Sequence, residues 1–308
     1  MKKIIKNKKI NLFNVLVFIF VLIYVIFGTD VIKDIKNNVA SVSNVTNNSE
    51  SVKLQDNVNL EVYFLDVGQA DSILIKLEDE YMLIDAGNNE DGDLLVNYFK
   101  DKNITDFEYV VATHPHEDHI GGMDNIIKNF NIKNYYMPDC YTTTKTFEEL
   151  LDALEEKNLS FETPDIDSEF LLGDALFKVL YTGTDKSDLN NTSIVLRMTY
   201  KDVSFMFTGD ATNVTEKKIL AKNLQSDVLK VGHHGSQYST SKNFLDKVNP
   251  KYAIISVGTG NVYDHPKDIT LNKLKGIEVH RTDKEGTIRV ISDGKNIDIE
   301  TFRTNTNG

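Results

Sequence analysis

At residues 113–119 the chain reads Thr-His-Pro-His-Glu-Asp-His, so three of its seven histidines lie within six positions of one another. An apolar run, Phe107 to Ala112, leads into this segment, and Gly121 and Gly122 follow it. Such a run is typical of a buried strand, and the polar segment after it is typical of a loop at the strand's end. Neutral imidazole and carboxylate groups are preferred ligands of Zn²⁺, Mn²⁺ and Fe²⁺. Four of them this close together predict a centre that holds more than one metal ion.

Three further motifs accompany this segment along the chain. Residues 64–72 read Phe-Leu-Asp-Val-Gly-Gln-Ala-Asp-Ser, residues 207–210 read Phe-Thr-Gly-Asp, and residues 229–236 read Leu-Lys-Val-Gly-His-His-Gly-Ser. Together with the His-x-His-x-Asp-His pattern, they resemble the metallo-β-lactamase fold superfamily. The narrower resemblance is to the extracellular hydrolase domain of ComEC-type competence proteins and their stand-alone relatives. It covers roughly residues 58–303.

The order of predicted elements indicates an α/β fold. Strands come first and strand–helix alternation follows, and this order occurs twice, which favours two similar α/β halves. The resemblance implies more: a four-layer αββα metallo-β-lactamase-like sandwich, with the metal site at the strand ends along one edge. A single N-terminal transmembrane helix is expected to precede it.

The N-terminal segment has the pattern of a membrane anchor. Five lysines lie within residues 1–9, and an apolar run follows from Ile10 to Phe27. A spanning helix needs about 20 apolar residues, and lysine-rich flanks stay in the cytoplasm. We therefore predict a cytoplasmic basic tip (1–9), a transmembrane signal anchor (10–28), a disordered polar tether (29–57) and an extracellular hydrolase domain (58–303). The alternative is secretion after removal of a signal peptide.

Charge and cysteine content restrict the function classes. Cys140 is the one cysteine, so an intramolecular disulfide is excluded. The whole chain carries a net charge of −12. A surface this acidic repels polyanions at long range, and it argues against tight nucleic-acid binding through Lys and Arg. Bound divalent ions would reverse that field locally.

The resemblance implies a set of ligands at two metal sites. It assigns His114 and His116 to site one, Asp118 and His119 to site two, and Asp210 to a bridging position. The alternative for Asp210 is a cap on the helix that starts near Asn213. Of the adjacent histidines at the end of a later strand, His234 is the predicted ligand, and His233 is the alternative ligand or a substrate contact.

One departure from the β-lactamase enzymes concerns site one. Those enzymes supply a third histidine between the loop and the bridging aspartate, but this chain has no histidine between His119 and His233. The matching place holds Asn190, Asn191 and Thr192. Asn191 is a candidate oxygen ligand or substrate contact, and Asn-Asn is also typical of a turn. Site one is therefore expected to bind its ion weakly, or only together with substrate. The predicted cofactors are two divalent ions, Zn²⁺ or Mn²⁺.

Further residues are candidates for support and for substrate binding. Metal-bound histidines usually donate their other N–H to a carboxylate or a carbonyl. The candidates for this supporting role are Asp66, Asp71 and Asp85. The candidates for substrate binding are Ser236, Asn261, Tyr263 and His265, although residues 257–266 also fit a plain glycine-rich loop.

These features predict a hydrolase that needs no protein nucleophile. A metal-bound hydroxide, oriented by Asp118 or Asp210, would attack a phosphodiester phosphorus in line. The predicted function is a membrane-tethered extracellular phosphodiesterase or nuclease, with DNA as the candidate substrate. One alternative is a hydrolase of small envelope phosphodiesters of the phosphocholine type. A non-catalytic, metal-stabilised binding module is the other.

Overall fold

The computed structural model describes residues 60–184 and 187–303. The predicted basic tip, transmembrane anchor and tether (residues 1–57) lie outside these residues. Within them, no helix has the length and apolar character needed to cross a membrane.

Fifteen strands form two sheets in the described part of the chain. They are β1 (Leu60–Phe64), β2 (Ile73–Leu77), β3 (Glu80–Ile84), β4 (Asp106–Val111), β5 (Asn131–Tyr136), β6 (Phe161–Glu162), β7 (Glu169–Leu172), β8 (Ala175–Tyr181), β9 (Val195–Tyr200), β10 (Val203–Phe207), β11 (Val228–Lys230), β12 (Tyr252–Ile255), β13 (Glu278–Arg281), β14 (Thr287–Ser292) and β15 (Ile297–Phe302). The first sheet has the order β15-β14-β1-β2-β3-β4-β5-β6, and the second has the order β13-β12-β11-β10-β9-β8-β7.

Helices and turns connect these strands. The helices are α1 (Gly92–Asp101), α2 (Glu117–Ile120), α3 (Met123–Asn129), α4 (Lys145–Glu156), α5 (Asn213–Ile219), α6 (Lys242–Val248), α7 (Asp268–Lys273) and α8 (Thr282–Glu285). Single 3-10 turns lie at Asn89–Asp91, Leu189–Thr192 and Gly232–Gly235.

The apolar residues form three buried clusters that correspond to four layers. The central cluster joins the facing sides of the two sheets, with Phe64 from β1 and Phe207 from β10 among its members. A second cluster packs the outer face of the first sheet against α1, α3 and α4, and a third packs the outer face of the second sheet against α5 and α6. The predicted αββα sandwich is therefore confirmed.

The two halves are less alike than the sequence pattern predicts. β14 pairs antiparallel with β1, placing Ser292 opposite Leu60, and β15 pairs with β14. The last two strands thus complete the first sheet, although the chain has just left the second. β5, β6 and β7 are not predicted by the sequence. All β5 side chains except the buried Tyr135 are exposed or half-buried, and the strand pairs parallel with β4.

Parallel pairing directs the functional motifs to one edge. β3, β4 and β5 run parallel in the first sheet, and β10, β11 and β12 run parallel in the second. Open parallel sheets bind ligands beyond the carboxyl ends of their strands. The residues that follow β3, β4, β10, β11 and β12 carry the predicted site.

Candidate metal centre

The segment after β4 folds tightly against the end of β3. The Ala86 N–H donates to the His119 carbonyl oxygen (2.8 Å), and the Gly121 N–H donates to the Gly87 carbonyl oxygen (2.9 Å). A Cβ on Gly121 would lie 2.1 Å from the backbone carbon of Asn88. Gly121 is therefore required because the backbone near Asn88 lies too close for any side chain at this position.

Asp85 orients His119. Its carboxylate accepts the Thr113 backbone N–H (2.7 Å) and the Thr113 hydroxyl (2.7 Å), and it lies 2.7 Å from His119 Nδ1. The His119 ring therefore donates from Nδ1, so in the neutral ring Nε2 carries the lone pair that a metal ion would use. That Nε2 is buried without a hydrogen-bond partner, 3.4 Å from Asp210 Oδ1. This is the arrangement expected of a metal-bound histidine supported by a carboxylate.

His234 is arranged in the same way. Its Nδ1 lies 2.9 Å from the carbonyl oxygen of Ser256, so Nδ1–H donates there. Its Nε2 is also buried without a hydrogen-bond partner, 3.3 Å from Asp118 Oδ2 and 3.7 Å from Asp210 Oδ2. His233 has a side chain that is 24% exposed, and its Nε2 lies 3.6 Å from Asp210 Oδ2. The geometry thus favours His234 over His233 as the ligand.

The backbone that carries these two histidines is left-handed. His233 has a φ of 51° and His234 a φ of 52°. Non-glycine residues seldom adopt this conformation, which costs on the order of 1–3 kcal/mol where it occurs and is concentrated at functional sites. The hydrogen bond from His233 N to Gly209 O (3.2 Å) ties this turn to the segment that carries Asp210.

Asp118, His119, Asp210 and His234 form one four-residue cluster. Each offers a ligand atom, and these atoms all lie within 4.8 Å of one another. Three buried atoms in it, Nε2 of His119, Nε2 of His234 and Oδ1 of Asp210, have no hydrogen-bond partner. A buried polar atom without a partner costs about 1–3 kcal/mol. Two imidazole nitrogens and two carboxylates at this spacing fit a divalent metal ion.

His114 and His116 lie beside this cluster. His114 Nε2 is 3.0 Å from His116 Nδ1, and the His114 and His119 rings are 4.1 Å apart between centroids. The two residues assigned to site one are thus brought together next to those assigned to site two. A second ion at this pair, and the bridging role of Asp210, stay predictions.

A cavity of about 600 Å³ opens on the cluster. Its inner wall consists of His116, Asp118, Asp210, His233 and His234, and its outer wall includes residues 260–263 and His265. Gln69, Asn88 and Glu117 also line it, and the sequence analysis assigns none of them a role. The predicted substrate contacts Asn261, Tyr263 and His265 are therefore placed at the cavity.

Residues 65–259 match the family model of the metallo-beta-lactamase superfamily. The chain belongs to this superfamily. It is 32% identical to ComE operon protein 3 of Bacillus subtilis over 74% of its own length and 32% of that protein. It is 29% identical to competence protein ComA of Neisseria gonorrhoeae over 73% of its own length and 31% of that protein. The chain thus spans about a third of the length of these curated relatives.

Solved structures agree on the fold. The metallo-beta-lactamase fold protein YhfI of Bacillus subtilis superposes with a TM-score of 0.52 at 12% sequence identity. The alignment covers 78% of this chain and all of YhfI. At this identity the likeness concerns the fold alone.

Three histidines of the candidate centre have strongly shifted pKa values. Burial alone would lower the pKa of His119, but the carboxylates of Asp210, Asp85 and Asp118 outweigh it and raise that pKa well above the usual value. The pKa of His234 is raised as well, because Asp210 and Asp118 outweigh its burial. Burial and the neighbouring His119 lower the pKa of His114 well below its usual value. The carboxylates therefore retain protons on two of the predicted ligands.

Metal binding is accordingly expected to release protons at neutral pH. Raised pKa values keep His119 and His234 protonated to higher pH, and an ion must displace about one proton from each. Affinity should rise with pH until both rings are neutral. Calorimetric titration of Zn²⁺ or Mn²⁺ in two buffers of different ionisation enthalpy would measure the protons released. A His280→Gln variant, altered outside the cluster, should release the same number. Equal affinity at pH 6 and pH 8 without proton release would contradict the assignment.

A buried ion pair lies behind the metal ligands. Lys230 Nζ contacts Asp71 Oδ2, and both side chains are about 1% exposed. The Asp71 carboxylate lies 3.7 Å from His234 Nδ1 and 3.8 Å from His119 Nδ1, and Lys230 Nζ lies 3.9 Å from Asp210 Oδ1. Asp85 thus has the contact predicted for a supporting residue, whereas Asp71 lies beyond hydrogen-bond distance of both histidines and pairs with Lys230. Lys230 was not predicted, although a lysine at the end of an apolar strand directly before two histidines is an unusual pattern.

Two predicted roles are not supported by the geometry. Asp66 is exposed, and its Oδ1 accepts only the Gly68 N–H in its own turn (3.4 Å). Ser236 is buried, its hydroxyl oxygen accepts the Tyr238 N–H (3.4 Å), and it is not among the residues that line the cavity. Both side chains are used by local turns.

The side chain of Asn191 is hydrogen-bonded to residues at the start of α5. Its amide oxygen accepts hydrogen bonds from Thr212 Oγ1 (2.6 Å) and Thr215 Oγ1 (3.1 Å), which occupies both lone pairs. Asn191 is therefore not an oxygen ligand, and the turn interpretation is correct because it lies in the 3-10 turn Leu189–Thr192. Ser193 Oγ, two residues further on, accepts the Asp210 N–H (3.2 Å). The Asn-x-Ser motif thus anchors α5 and Asp210.

The alternative for Asp210 is also excluded. α5 is capped by Thr212, whose side chain accepts the Val214 N–H. Asp210 is therefore not the N-cap of this helix, and its side chain lies in the four-residue cluster.

Proposed function

We propose that this chain is a metal-dependent phosphodiesterase that cleaves DNA outside the cell and is tethered to the membrane by residues 10–28. The observation that carries the proposal is the convergence of unpartnered His119 Nε2 and His234 Nε2 on Asp118 and Asp210 at a cavity of about 600 Å³. The competence proteins among its relatives make DNA the first substrate to test. The lysine-rich start and apolar run of the chain support the tether.

The proposed chemistry assigns each residue a task. Two divalent ions bound there would activate a water and polarise a phosphoryl oxygen. His119, His234, Asp118 and Asp210 would hold the ions, with His114 and His116 at the second position. Asp85 and the Ser256 carbonyl fix the histidine rings, so the ligand geometry exists before metal binds. Asp118 and Asp210 would also accept hydrogen bonds from the attacking water and orient it.

The test uses the purified full chain with added Mn²⁺ or Zn²⁺. Single-stranded DNA, double-stranded DNA and a phosphocholine ester are assayed side by side, with Asp118→Ala beside wild type. Metal-dependent DNA cleavage that is lost in Asp118→Ala and kept in Asp152→Ala, an exposed aspartate on α4, is the expected result. Bound metal without cleavage of any phosphodiester would contradict the proposal.

The second candidate is a hydrolase of small envelope phosphodiesters such as phosphocholine esters. Among the described residues that line the cavity, three are carboxylates and none is a lysine or an arginine. Such a wall does not attract a polyanion, so a substrate with one phosphate and a cationic group would suit it. Cleavage of the phosphocholine ester without cleavage of DNA would select this candidate.

A further inference from the structure

The outer wall of the cavity presents two uncovered apolar side chains. Val262 is 91% exposed and Tyr263 is 60% exposed, and both line the cavity. They belong to a loop, residues 258–265, that we call the rim loop. Large apolar groups at the mouth of a polar metal site are candidates for direct contact with substrate.

The rim loop is held in one shape by its own hydrogen bonds. Asn261 Nδ2 donates to Gly258 O (2.9 Å) and to His265 O (2.7 Å), and Asn261 Oδ1 accepts from His265 N (2.9 Å). One side chain therefore closes the loop at both ends. A loop fixed in this way reduces the cost of ordering its backbone when a ligand binds to Tyr263.

Aromatic rings extend from the rim to the metal cluster. Tyr263 stacks on His265 at 5.7 Å between centroids with the planes 26° apart, and His265 lies edge-on to His233 at 5.6 Å. His233 Nε2 is in turn 3.6 Å from Asp210 Oδ2. A flat group on Tyr263 would thus lie on the same wall as the position where a scissile phosphate is held.

The charges at the cavity limit how a nucleic acid could be held. Glu117, Asp118 and Asp210 line it, and no lysine or arginine does so among the described residues. Phosphates away from the metal ions would meet no cation on this wall. Affinity beyond that of the phosphate held by the metal ions must then come from uncharged contacts, of which base–aromatic stacking contributes about 1–3 kcal/mol per base.

We propose that Tyr263, flanked by Val262, stacks an unpaired nucleobase of the nucleotide next to the scissile phosphate. This inference rests on the proposed phosphodiesterase function and narrows its substrate to single strands or frayed ends. Bases inside a duplex are covered on both faces and must be unstacked first, at a cost of a few kcal/mol. A quaternary ammonium group is recognised by a cage of several aromatic faces, whereas Tyr263 is the one Phe, Tyr or Trp side chain among the described residues that line the cavity.

The test compares two dinucleotides, each with a single phosphodiester bond. One carries both bases, and in the other, base-free dinucleotide both bases are replaced by hydrogen. Wild type should prefer the complete dinucleotide. Tyr263→Leu should raise the KM for the complete dinucleotide by about 5- to 140-fold, which corresponds to the loss of one stacking contact. The KM for the base-free dinucleotide should not change. Tyr263→Phe should behave as wild type. Tyr141→Leu is the matched control, since Tyr141 is 51% exposed and not part of the cavity.

A binding measurement separates stacking from catalysis. The Asp118→Ala variant, which is not expected to cleave a 2-aminopurine dinucleotide, should quench its fluorescence on binding. The double variant Asp118→Ala with Tyr263→Leu should not quench it. If Tyr263→Leu impaired cleavage of both dinucleotides equally, or left the quenching unchanged, the stacking role of Tyr263 would be wrong. The proposed phosphodiesterase activity would not be affected by that result. Cleavage of neither dinucleotide by wild type would instead contradict the proposed function. If Tyr263→Leu raised the KM for a phosphocholine ester more than the KM for DNA, the rim loop would bind an ammonium group rather than a base, and the inference would be wrong.

Discussion

Replacing Asp210 with asparagine is expected to reduce metal-dependent phosphodiester cleavage by more than about 100-fold. Losses of 10- to 100-fold are typical when a residue behind a metal ligand is changed, and Asp210 lies among the ligands. Its oxygens are 3.4 Å from His119 Nε2 and 3.7 Å from His234 Nε2. Asparagine keeps the size of the side chain but removes the charge that neighbouring histidines and a bound ion require.

The same substitution should also lower metal content. Burial alone would raise the pKa of Asp210, but the surrounding histidines outweigh it and hold that pKa well below its usual value. The carboxylate is therefore ionised and available to an ion across the physiological range. Mass spectrometry of bound metal and calorimetric affinity would be measured beside turnover. Asp79→Asn, the same change in an exposed turn, is the control. Full metal content and activity in Asp210→Asn would exclude Asp210 from the centre.

Replacing Lys230 with methionine is expected to lower the free energy of unfolding of the metal-free chain by about 3–5 kcal/mol. Removing one partner of a buried ion pair leaves the other charge uncompensated in the interior. Here the uncompensated group is Asp71, which contacts Lys230 and otherwise faces the Nδ1 sides of His119 and His234. Burial alone would lower the pKa of Lys230, yet Asp71 and Asp210 outweigh it and raise that pKa. Lys230 is therefore a permanent cation in a cluster of carboxylates.

Urea unfolding of the chelator-treated protein measures this effect. The double variant Lys230→Met with Asp71→Asn removes both charges and should recover most of the loss. Lys133→Met removes a lysine from an exposed pair with Glu108 and should leave unfolding nearly unchanged. Added Zn²⁺ should stabilise Lys230→Met more than wild type, because an ion supplies the missing positive charge. If the single and double variants were equally destabilised, packing rather than charge would explain the lysine.

Local patterns were sufficient for much of the centre. His114, His116, Asp118 and His119 are near in space because they are near in sequence, so their spacing alone predicts a metal site. Asp210 and His234 follow apolar strands, and strand ends meet at one edge of a parallel sheet. Asp85 ends a strand in the same way, and its contact with His119 was predictable on that basis.

Other assignments could not be made from sequence. Asp66 and Asp71 flank the same turn, but one is exposed and the other is buried behind both histidines. Asn191 was a candidate ligand by position, yet its oxygen is occupied by two threonines from the α5 region. The choice between His233 and His234 depended on Ser256, a residue that follows a different strand. In each case the direction of a side chain depends on partners distant along the chain.

The sequence by itself determined the α/β type of fold and predicted where a metal-binding cluster would lie. The spacing of ligand-type residues and the alternation of apolar runs are local properties. They can be recognised in a short segment without knowledge of the tertiary structure. Only the tertiary structure decided which of the candidate side chains converge on the cluster, which lie behind it and which lie at the surface, and that β14 and β15 return to the first sheet. The physical reason is that burial, hydrogen-bond saturation and the compensation of Asp71 by Lys230 arise when the two sheets pack together, and no single segment contains that information.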